Sequence, residues 1–240
     1  VALGSSTRGY RIRQQWSQDG MHNLYVIDVK SGARKLVAAG LKRGYEQLSP
    51  GGRYICWYDT NIKQWKVYDI AAAKTSVLSK GITAPLYDEE DDHPDDPPAH
   101  GFMGWLEGDE AAFIYDRYDV WQVDPAGHKP AVCLTKGAGR KNRIAIRYNR
   151  LDPETEYIKK GDWLLFDLFD YKQKGANWMS YKEGDAFRLD TSSLQGAQYT
   201  LPVKARRAND FIYVKQTPST RDVYAGSVVQ AVDQTGNQPY

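Results

Sequence analysis

The sequence has no long apolar run and is poor in cysteine. None of its apolar runs approaches the roughly 20 residues that a membrane-spanning helix needs, so we expect no membrane span. The 240 residues include two cysteines, Cys56 and Cys133, which are too few for a disulfide framework. Because each lies in an apolar, strand-like stretch, we predict two buried free thiols.

The start and the charge of the sequence also lack familiar signals. The chain begins Val1-Ala2-Leu3, with neither a start Met nor a charged-then-apolar signal sequence, so we expect that the natural beginning is missing. The net charge is +2, and no basic stripe with interleaved aromatic residues is present, so no nucleic-acid partner is expected. The content of 41% hydrophobic and 26% charged residues is typical of folded globular proteins.

Helical periodicity is almost absent, and short apolar or alternating runs separated by turns recur instead, as in all-β proteins. The clearest unit has a short strand at Glu46–Leu48 and a turn at Ser49-Pro50-Gly51-Gly52. Pro fixes φ at the first corner of such a turn and Gly permits positive φ after it. Three more strands are predicted in this unit, at Arg53–Asp59, Gln64–Asp69 and Lys74–Leu78.

The same unit returns along the chain. Its turn is marked by Gly52, Gly108, Gly161 and Asn209, at intervals of 56, 53 and 48 residues. Four strands in a period of this length predict propeller blades, whereas a β-sandwich would not explain the repeated order of turns and strands. We therefore predict an all-β fold, a partial β-propeller of about four to five four-stranded antiparallel blades. The blade-like units lie near residues 8–40, 45–80, 101–136, 144–192 and 202–228.

Several finer predictions follow the same pattern. In four of the five units, the carboxylate that closes the third strand is expected to accept hydrogen bonds from the next turn; these residues are Asp28, Asp69, Asp124 and Asp190. The fourth unit, residues 144–192, is predicted to end in a strand at Ala186–Asp190. The first unit is predicted to hold only its last three strands, at Tyr10–Trp16, Asn23–Asp28 and Lys35–Ala38. The polar tail 230–240 is expected to have no fixed structure unless a partner holds it.

These residues also resemble known propellers. Leu48–Tyr54 followed by Trp65–Asp69 is similar to the WD40-like repeat of TolB-type propellers, although Gly51 stands where that repeat usually has Asp. A more specific resemblance, over roughly residues 8–228, is to the propeller of Bacteroidetes-type prolyl oligopeptidase (S9) peptidases. It rests on Pro85–Pro94, Gly104-Trp105, Ile114–Trp121 and Arg147–Asp152.

The resemblance implies a two-domain serine hydrolase in which a propeller of seven or eight blades precedes an α/β-hydrolase domain. The nucleophile of that domain lies in a Gly-x-Ser-x-Gly elbow, which this sequence lacks; Gly4-Ser5-Ser6-Thr7-Arg8 is the nearest match. The chain would then be a non-catalytic propeller region that gates access to the active site and helps position peptide ends. The implied partners are the downstream hydrolase domain and a peptide substrate, and the implied location is outside the cytoplasm.

The densest charge lies in an acidic, Pro-rich insert at residues 85–100. Its run Asp88-Glu89-Glu90-Asp91-Asp92 offers oxygen ligands, which Ca²⁺ prefers, so these five residues are the predicted metal ligands. The spacing is not that of an EF-hand, and a solvated loop without metal is the alternative. No other cofactor is expected, and no pair among the four histidines has metal-ligand spacing.

Arg117 and Tyr118 are the predicted substrate-binding residues. They lie in the hairpin between the second and third strands of their unit, and related peptidases recognise peptide termini in the propeller channel. An ion pair of Arg117 within the turn, with Asp116 or Asp119, is the alternative. We predict no catalytic residue in this chain.

The repeats also fit other functions. A TolB-like propeller that binds proteins or glycans independently of any enzyme has the same pattern, and a sugar-cleaving propeller enzyme is supported only by the acidic insert. Whichever holds, an open arc of blades leaves strand edges and apolar faces uncovered. We therefore expect the chain to self-associate or to have disordered terminal segments.

Overall fold

The computed structural model describes residues 1–17, 20–42, 44–189, 191, 198–205, 208, 210–227 and 238–239. Its strands are β1 (Ala2–Ser6), β2 (His22–Ile27), β3 (Arg34–Leu41), β4 (Gln47–Leu48), β5 (Tyr54–Asp59), β6 (Gln64–Asp69), β7 (Lys74–Val77), β8 (Phe102–Trp105), β9 (Ala112–Tyr115), β10 (Val120–Val123), β11 (Val132–Cys133), β12 (Ile144–Asn149), β13 (Trp163–Asp170), β14 (Ala176–Lys182), β15 (Gln198–Lys204), β16 (Asp210–Gln216), β17 (Arg221–Ser227) and β18 (Gln238–Pro239). One short helix, α1 (Ala138–Asn142), and three 3₁₀ turns, Arg8–Tyr10, Arg13–Gln15 and Glu107–Asp109, complete the regular structure of these residues.

The strands pair mostly with their neighbours in sequence. One sheet has the order β1-β2-β3, two have four strands, β4-β5-β6-β7 and β8-β9-β10-β11, and one has seven, from β12 to β18. The chain divides into two compact units, residues 1–116 with 122–132 and residues 117–121 with 133–240. Recurring four-stranded sheets in an almost wholly β chain confirm the prediction of a partial β-propeller. No helix of the described ranges is long and apolar enough to cross a membrane.

The sheet β4–β7 follows its predicted strands closely. The turn after β4 is closed by the N–H of Gly52, which donates to the carbonyl of Ser49 over 2.8 Å, and Gly52 has a φ of 69°. In β5, the side chains of Ile55 and Trp57 pack in one cluster with Leu24 of β2. Tyr54 lies on the other face and stacks on Trp105 of β8, with ring centroids 6.3 Å apart. Both faces of this sheet are therefore covered, which explains the nearly continuous apolar run of β5.

The predicted caps of the third strands are largely confirmed. Asp28, Asp69 and Asp124 each accept hydrogen bonds from backbone N–H groups two to five residues further on. Burial raises the pKa of Asp124, but the N–H groups it accepts outweigh that effect and leave the pKa below its usual value. The fourth predicted cap, Asp190, and the turn marker Asn209 lie outside the described residues.

The prediction of a strand at Tyr10–Trp16 is wrong. The segment forms two 3₁₀ turns, and β1 takes the place beside β2 with five paired residues. The hydroxyl of Tyr10 donates to Asn23 Oδ1 over 2.7 Å, which holds the segment to β2 by a side chain instead of a strand ladder. Trp16 is left 85% exposed.

The prediction of a fourth strand at Ala186–Asp190 is also wrong for residues 186–189, which the structure describes. Residues 186–189 form no strand, and the free edge of β14 pairs in parallel with β15 through Ala176 and Gln198. Phe187 is buried against the rings of Tyr181 and Phe166, at centroid distances of 5.5 and 6.2 Å. Residues 186–189 therefore contribute the aromatic ring of Phe187 to the core instead of a strand. At the other end of this sheet, residues 238–239 of the tail pair with β17, and most of residues 230–240 lie outside the described ranges.

Candidate functional site

The acidic insert is a loop whose two ends are joined. Tyr87 and Ala99 form an antiparallel bridge, and the N–H of Asp88 donates to the carbonyl of Pro98 over 2.9 Å. Lys42 Nζ lies 2.6 Å from Asp96 Oδ2, so the insert is also tied by an ion pair to the end of β3. Both side chains of this pair are about 30% exposed, and its contribution to stability is about 1 kcal/mol or less.

Within the insert, the predicted metal ligands do not all face one point. The carboxylate of Asp88 accepts the N–H of Glu90 over 3.1 Å, and Glu89 Oε2 lies 3.2 Å from His100 Nε2. The group of the described residues that could hold a metal ion consists of Asp91, Asp92 and His93, whose ligand atoms lie within 4.8 Å of one another.

That group changes the chemistry of the predicted metal site. His93 adds a nitrogen donor, and its Nδ1 already contacts Asp91 Oδ1. A mixed carboxylate and imidazole set suits transition metals better than the oxygen-only set that Ca²⁺ prefers. The Ca²⁺ site at Asp88–Asp92 stays a prediction.

Arg117 and Tyr118 lie where the sequence placed them, between β9 and β10. Their side chains are only 9% and 8% exposed. The guanidinium carbon of Arg117 lies 5.0 Å from the ring centroid of Tyr171 and 5.7 Å from that of Tyr118, as in cation–π pairs. The carbonyl of Arg117 accepts Nη2 of Arg147, and that of Tyr118 accepts the N–H of Ile146, both over 2.9 Å. Both residues thus join this hairpin to β12, and their substrate contact stays a prediction.

Asp119, next in the chain, organises the segment after β11. Its buried carboxylate accepts Thr135 Oγ1 over 2.6 Å and the N–H groups of Gly139 and Arg140, each over 2.9 Å. A Cβ at Gly139 would lie 2.7 and 2.8 Å from two backbone carbonyl oxygens, so only glycine fits there. Sequence reasoning missed this network, although Leu78-Ser79-Lys80-Gly81 returns as Leu134-Thr135-Lys136-Gly137 and marks the position.

A second buried carboxylate, Asp109, holds the turn of the preceding sheet. It accepts Ser49 Oγ over 2.6 Å and the N–H of Gly51 over 3.0 Å. A Cβ at Gly51 would lie 2.6 Å from Asp109 Oδ2. The departure of Gly51 from the TolB-type repeat therefore has a physical reason, because Asp109 fills the space that a side chain at 51 would need.

Asp167 in β13 is an acid that the sequence analysis did not single out. Burial raises its pKa, against hydrogen bonds from the side chains of Asn149 and Trp178 that lower it. Asn149 Nδ2 donates to the two carboxylate oxygens over 3.0 and 3.1 Å. Raised carboxyl pKa values occur in catalytic acids and in structural networks. The partners of Asp167 belong to adjacent strands of its own sheet, which fits a structural network.

The two cysteines are free thiols, as predicted. Cys56 is fully buried in β5, and burial raises the pKa of its thiol strongly. Cys133 is only half-buried, and its sulfur accepts the N–H of Gly137 over 3.2 Å. A thiol with a raised pKa is a poor nucleophile, so Cys56 has the properties of a core residue.

Comparison with known proteins gives likeness of fold alone. No protein family matches the chain, and no curated protein does. TolB from Acinetobacter baumannii is 10% identical, with a TM-score of 0.42 over 91% of this chain and 48% of its own. The Dos1 propeller is 10% identical, with a TM-score of 0.48 over 92% of this chain and 55% of its own.

A peptidase is among the similar structures. The acylaminoacyl peptidase of Pyrococcus horikoshii is 10% identical, with a TM-score of 0.31 over 86% of this chain and 40% of its own. The chain thus spans about half the length of the TolB and Dos1 structures and less of the peptidase. The chain is a β-propeller module, and none of these likenesses bears on its activity.

Proposed function

We propose that this module is the non-catalytic propeller region of a serine peptidase of the prolyl oligopeptidase type. Its function would be to limit access to the active site of an α/β-hydrolase domain in the same protein and to help position peptide ends. The propeller would admit an extended peptide to the active site and exclude a folded protein. Substrate selectivity would then depend on the size of the substrate and not on a catalytic group in the blades.

The observation that supports this proposal is the Tyr115-Asp116-Arg117-Tyr118-Asp119 block, whose sequence resembles that peptidase family. In the structure Asp119 accepts three hydrogen bonds, and Arg117 packs against Tyr171. Contacts of this kind suit a gating region, because a selective opening must keep its size.

By the same resemblance, we infer that the parent protein acts outside the cytoplasm. Free thiols are compatible with that location when they are buried, as Cys56 is. Fractionation of the native host cells, with an antibody raised against this chain, tests the location. Recovery in the cytoplasmic fraction would contradict it.

The test of function uses the whole parent protein. We expect it to react with a fluorophosphonate probe for serine hydrolases and to cleave short peptide reporters. We expect it to leave a folded protein such as native serum albumin intact. The 240-residue chain, used as a control, should neither react with the probe nor turn over a peptide.

Two results would contradict the proposal. If the parent protein neither reacts with the probe nor cleaves any peptide, the propeller is not part of a serine peptidase, and a binding module of the TolB type becomes the better account. If the parent protein digests folded albumin as fast as short peptides, the propeller does not gate access.

A further inference from the structure

One face of the strands β15–β17 carries apolar side chains that are exposed. Val203 pairs with Ile212, which pairs with Ala225, and Thr200 pairs with Val214, which pairs with Val223. Directly paired residues of antiparallel strands project to the same side. We call this side the aliphatic face: Thr200, Val203, Ile212, Val214, Val223 and Ala225.

Three of the six residues of the aliphatic face are exposed and three are half-buried, although the opposite side is well packed. Val203 is 61% exposed, and Ile212 and Val223 are each 47% exposed. On the opposite side, Phe211 and Tyr213 are buried in a cluster that includes the ring of Trp178. An outward face of a half-covered sheet normally carries polar residues, so aliphatic residues here indicate a surface that another molecule covers.

The two ends of the aliphatic face carry opposite charges. Asp210 continues the outward row of β16 and pairs with Ser227, while Arg221 continues the row of β17 and pairs with Gln216 at the other end. Both Asp210 and Arg221 are exposed. The face is thus negative at one end, positive at the diagonal corner, and apolar between them.

We propose that the aliphatic face binds the same face of a second copy of this chain. The two copies would be related by a twofold axis that lies between the two faces and runs perpendicular to the strands. This rotation places one end of each strand over the opposite end of the same strand in the second copy. It stacks Ile212 and Val214 on the same residues of the second copy and brings Asp210 of one copy to the end of the face at which Arg221 of the other copy lies, one strand away. The symmetry forms this ion pair twice, so the charges favour an isologous dimer.

The size of the face sets the expected strength of the dimer. Three strands of seven residues span about 20 Å by about 10 Å between backbone centres. This is smaller than the ~800 Å² per partner of a standard stable interface. We therefore expect a weak, concentration-dependent dimer, with a dissociation constant on the order of 10–100 µM. The inference does not rest on the proposed function, since it concerns only this chain.

The experiment is sedimentation velocity of the 240-residue chain from about 5 µM to about 500 µM, a range that brackets the expected constant. The wild-type chain should pass from monomer to dimer. Ile212→Lys should weaken the dimer at least tenfold, because it places a charge in the apolar centre. Ile62→Lys is the matched control, since Ile62 is also 47% exposed but lies in the hairpin between β5 and β6.

Charge reversal tests the orientation of the dimer. Asp210→Arg or Arg221→Asp alone should weaken the dimer roughly three- to tenfold by placing like charges together. The double variant should restore the wild-type constant, because the pairs re-form with exchanged signs. Circular dichroism checks that each variant is folded, and Val223→Thr, which keeps β propensity, repeats the test if Ile212→Lys does not fold.

A monomer at every concentration would overturn the proposal, and would leave the face to the following part of a longer protein. A dimer that Ile212→Lys and Val223→Thr do not weaken, or that Ile62→Lys weakens equally, would overturn it as well. Failure of the double reversal to restore association would overturn the proposed orientation. None of these outcomes depends on whether the parent protein is a peptidase.

Discussion

Strands β5 and β16 are both central antiparallel strands, yet they differ in how many of their faces are covered. Five of the six residues of β5 are buried, whereas in β16 Phe211 and Tyr213 are buried and the residues between and around them are not. The sequence of β5 is accordingly apolar at nearly every position. In β16 the covered side is aromatic and the exposed side carries Ile212 and Val214.

The difference separates two reasons for an apolar residue in a strand. In β5 the apolar side chains pack against other residues of this chain and form part of its core. In β16 the apolar side chain of Ile212 on the outward row is 47% exposed among the described residues, and we attribute it to contact with another molecule. The same residue type therefore has a large effect on stability in one strand and an effect on association in the other.

Truncation of an apolar side chain should destabilise β5 far more than β16. Ile55→Ala should lower the free energy of unfolding by about 2–5 kcal/mol, because Ile55 is fully buried and the cavity cannot fill. Ile212→Ala should change it by less than about 1 kcal/mol at low protein concentration. Urea unfolding of both variants at about 2 µM, below the expected dimer range, measures the difference. Equal losses would mean that both strands are covered alike.

A second prediction concerns the turn that supports the covered sheet. Gly51→Ala should cost about 1–3 kcal/mol, because its Cβ collides with the carboxylate of Asp109. The collision disappears in Asp109→Ala, so the two changes should couple in a double-mutant cycle. Gly9→Ala is the control, because no atom lies within 4 Å of its Cβ. Additive losses at 51 and 109 would contradict the role of Asp109.

The sheets that contain β5 and β16 both have a turn capped by an aspartate. Asp69→Ala after β6 and Asp170→Ala after β13 should each cost about 1 kcal/mol, the usual value of a lost cap. Asp69 accepts one N–H, from Ala72, and Asp170 accepts those of Lys172 and Gln173. Thermal unfolding compares both with wild type. A loss confined to one region would show that turn capping depends on how the sheet is covered.

Asp167 and Asp124 should contribute to stability with opposite pH dependence. Burial raises the pKa of Asp167 above the ordinary 3.8 of an aspartate, so the stability tied to its protonated form is complete below that pH and is lost as pH rises through the folded pKa. The free energy of unfolding of wild type minus that of Asp167→Asn should therefore fall as pH rises from 3.5 to 7. Asp124 should show the opposite pH dependence, because its pKa is lowered. The free energy of unfolding that Asp124→Asn loses should therefore grow as pH rises. A flat difference between wild type and Asp167→Asn would contradict the raised pKa.

Much of the fold could be predicted because propeller turns leave local marks. The strand Gln64–Asp69 lies at its predicted residues, and the turn at Gly52 has the positive φ that its sequence requires. Such features depend on residues within one hairpin. The strand order of a blade follows from them because neighbouring strands in sequence also pair in space.

The errors occurred where distant residues decide. Tyr10–Trp16 has the alternation of a strand, but β1 occupies the edge of β2. Residues 186–189 have a strand pattern, but β15 takes the edge of β14 through Ala176. A single sequence indicates whether a segment favours the strand conformation. It does not show which of two segments pairs with a given sheet edge.

The candidate site was predictable in position and not in contacts. The acidic insert and the Arg117 hairpin lie where the sequence placed them. The joining of His93 with Asp91 and Asp92, and the packing of Arg117 on Tyr171, required the fold. Tyr171 is 54 residues from Arg117 in the chain, too far for any local pattern to pair them.

The contrast between covered and uncovered sheets can be measured in one molecule by thiol labelling. In an Ile212→Cys variant with Cys133 replaced by Ser, a thiol reagent meets two sites, native Cys56 and the new cysteine. At low protein concentration, position 212 should react as fast as a free thiol, while Cys56 reacts only as fast as the protein unfolds. At high concentration the reaction at 212 should slow as the aliphatic face is covered. Rapid labelling of Cys56, or protection of position 212 at every concentration, would contradict the account.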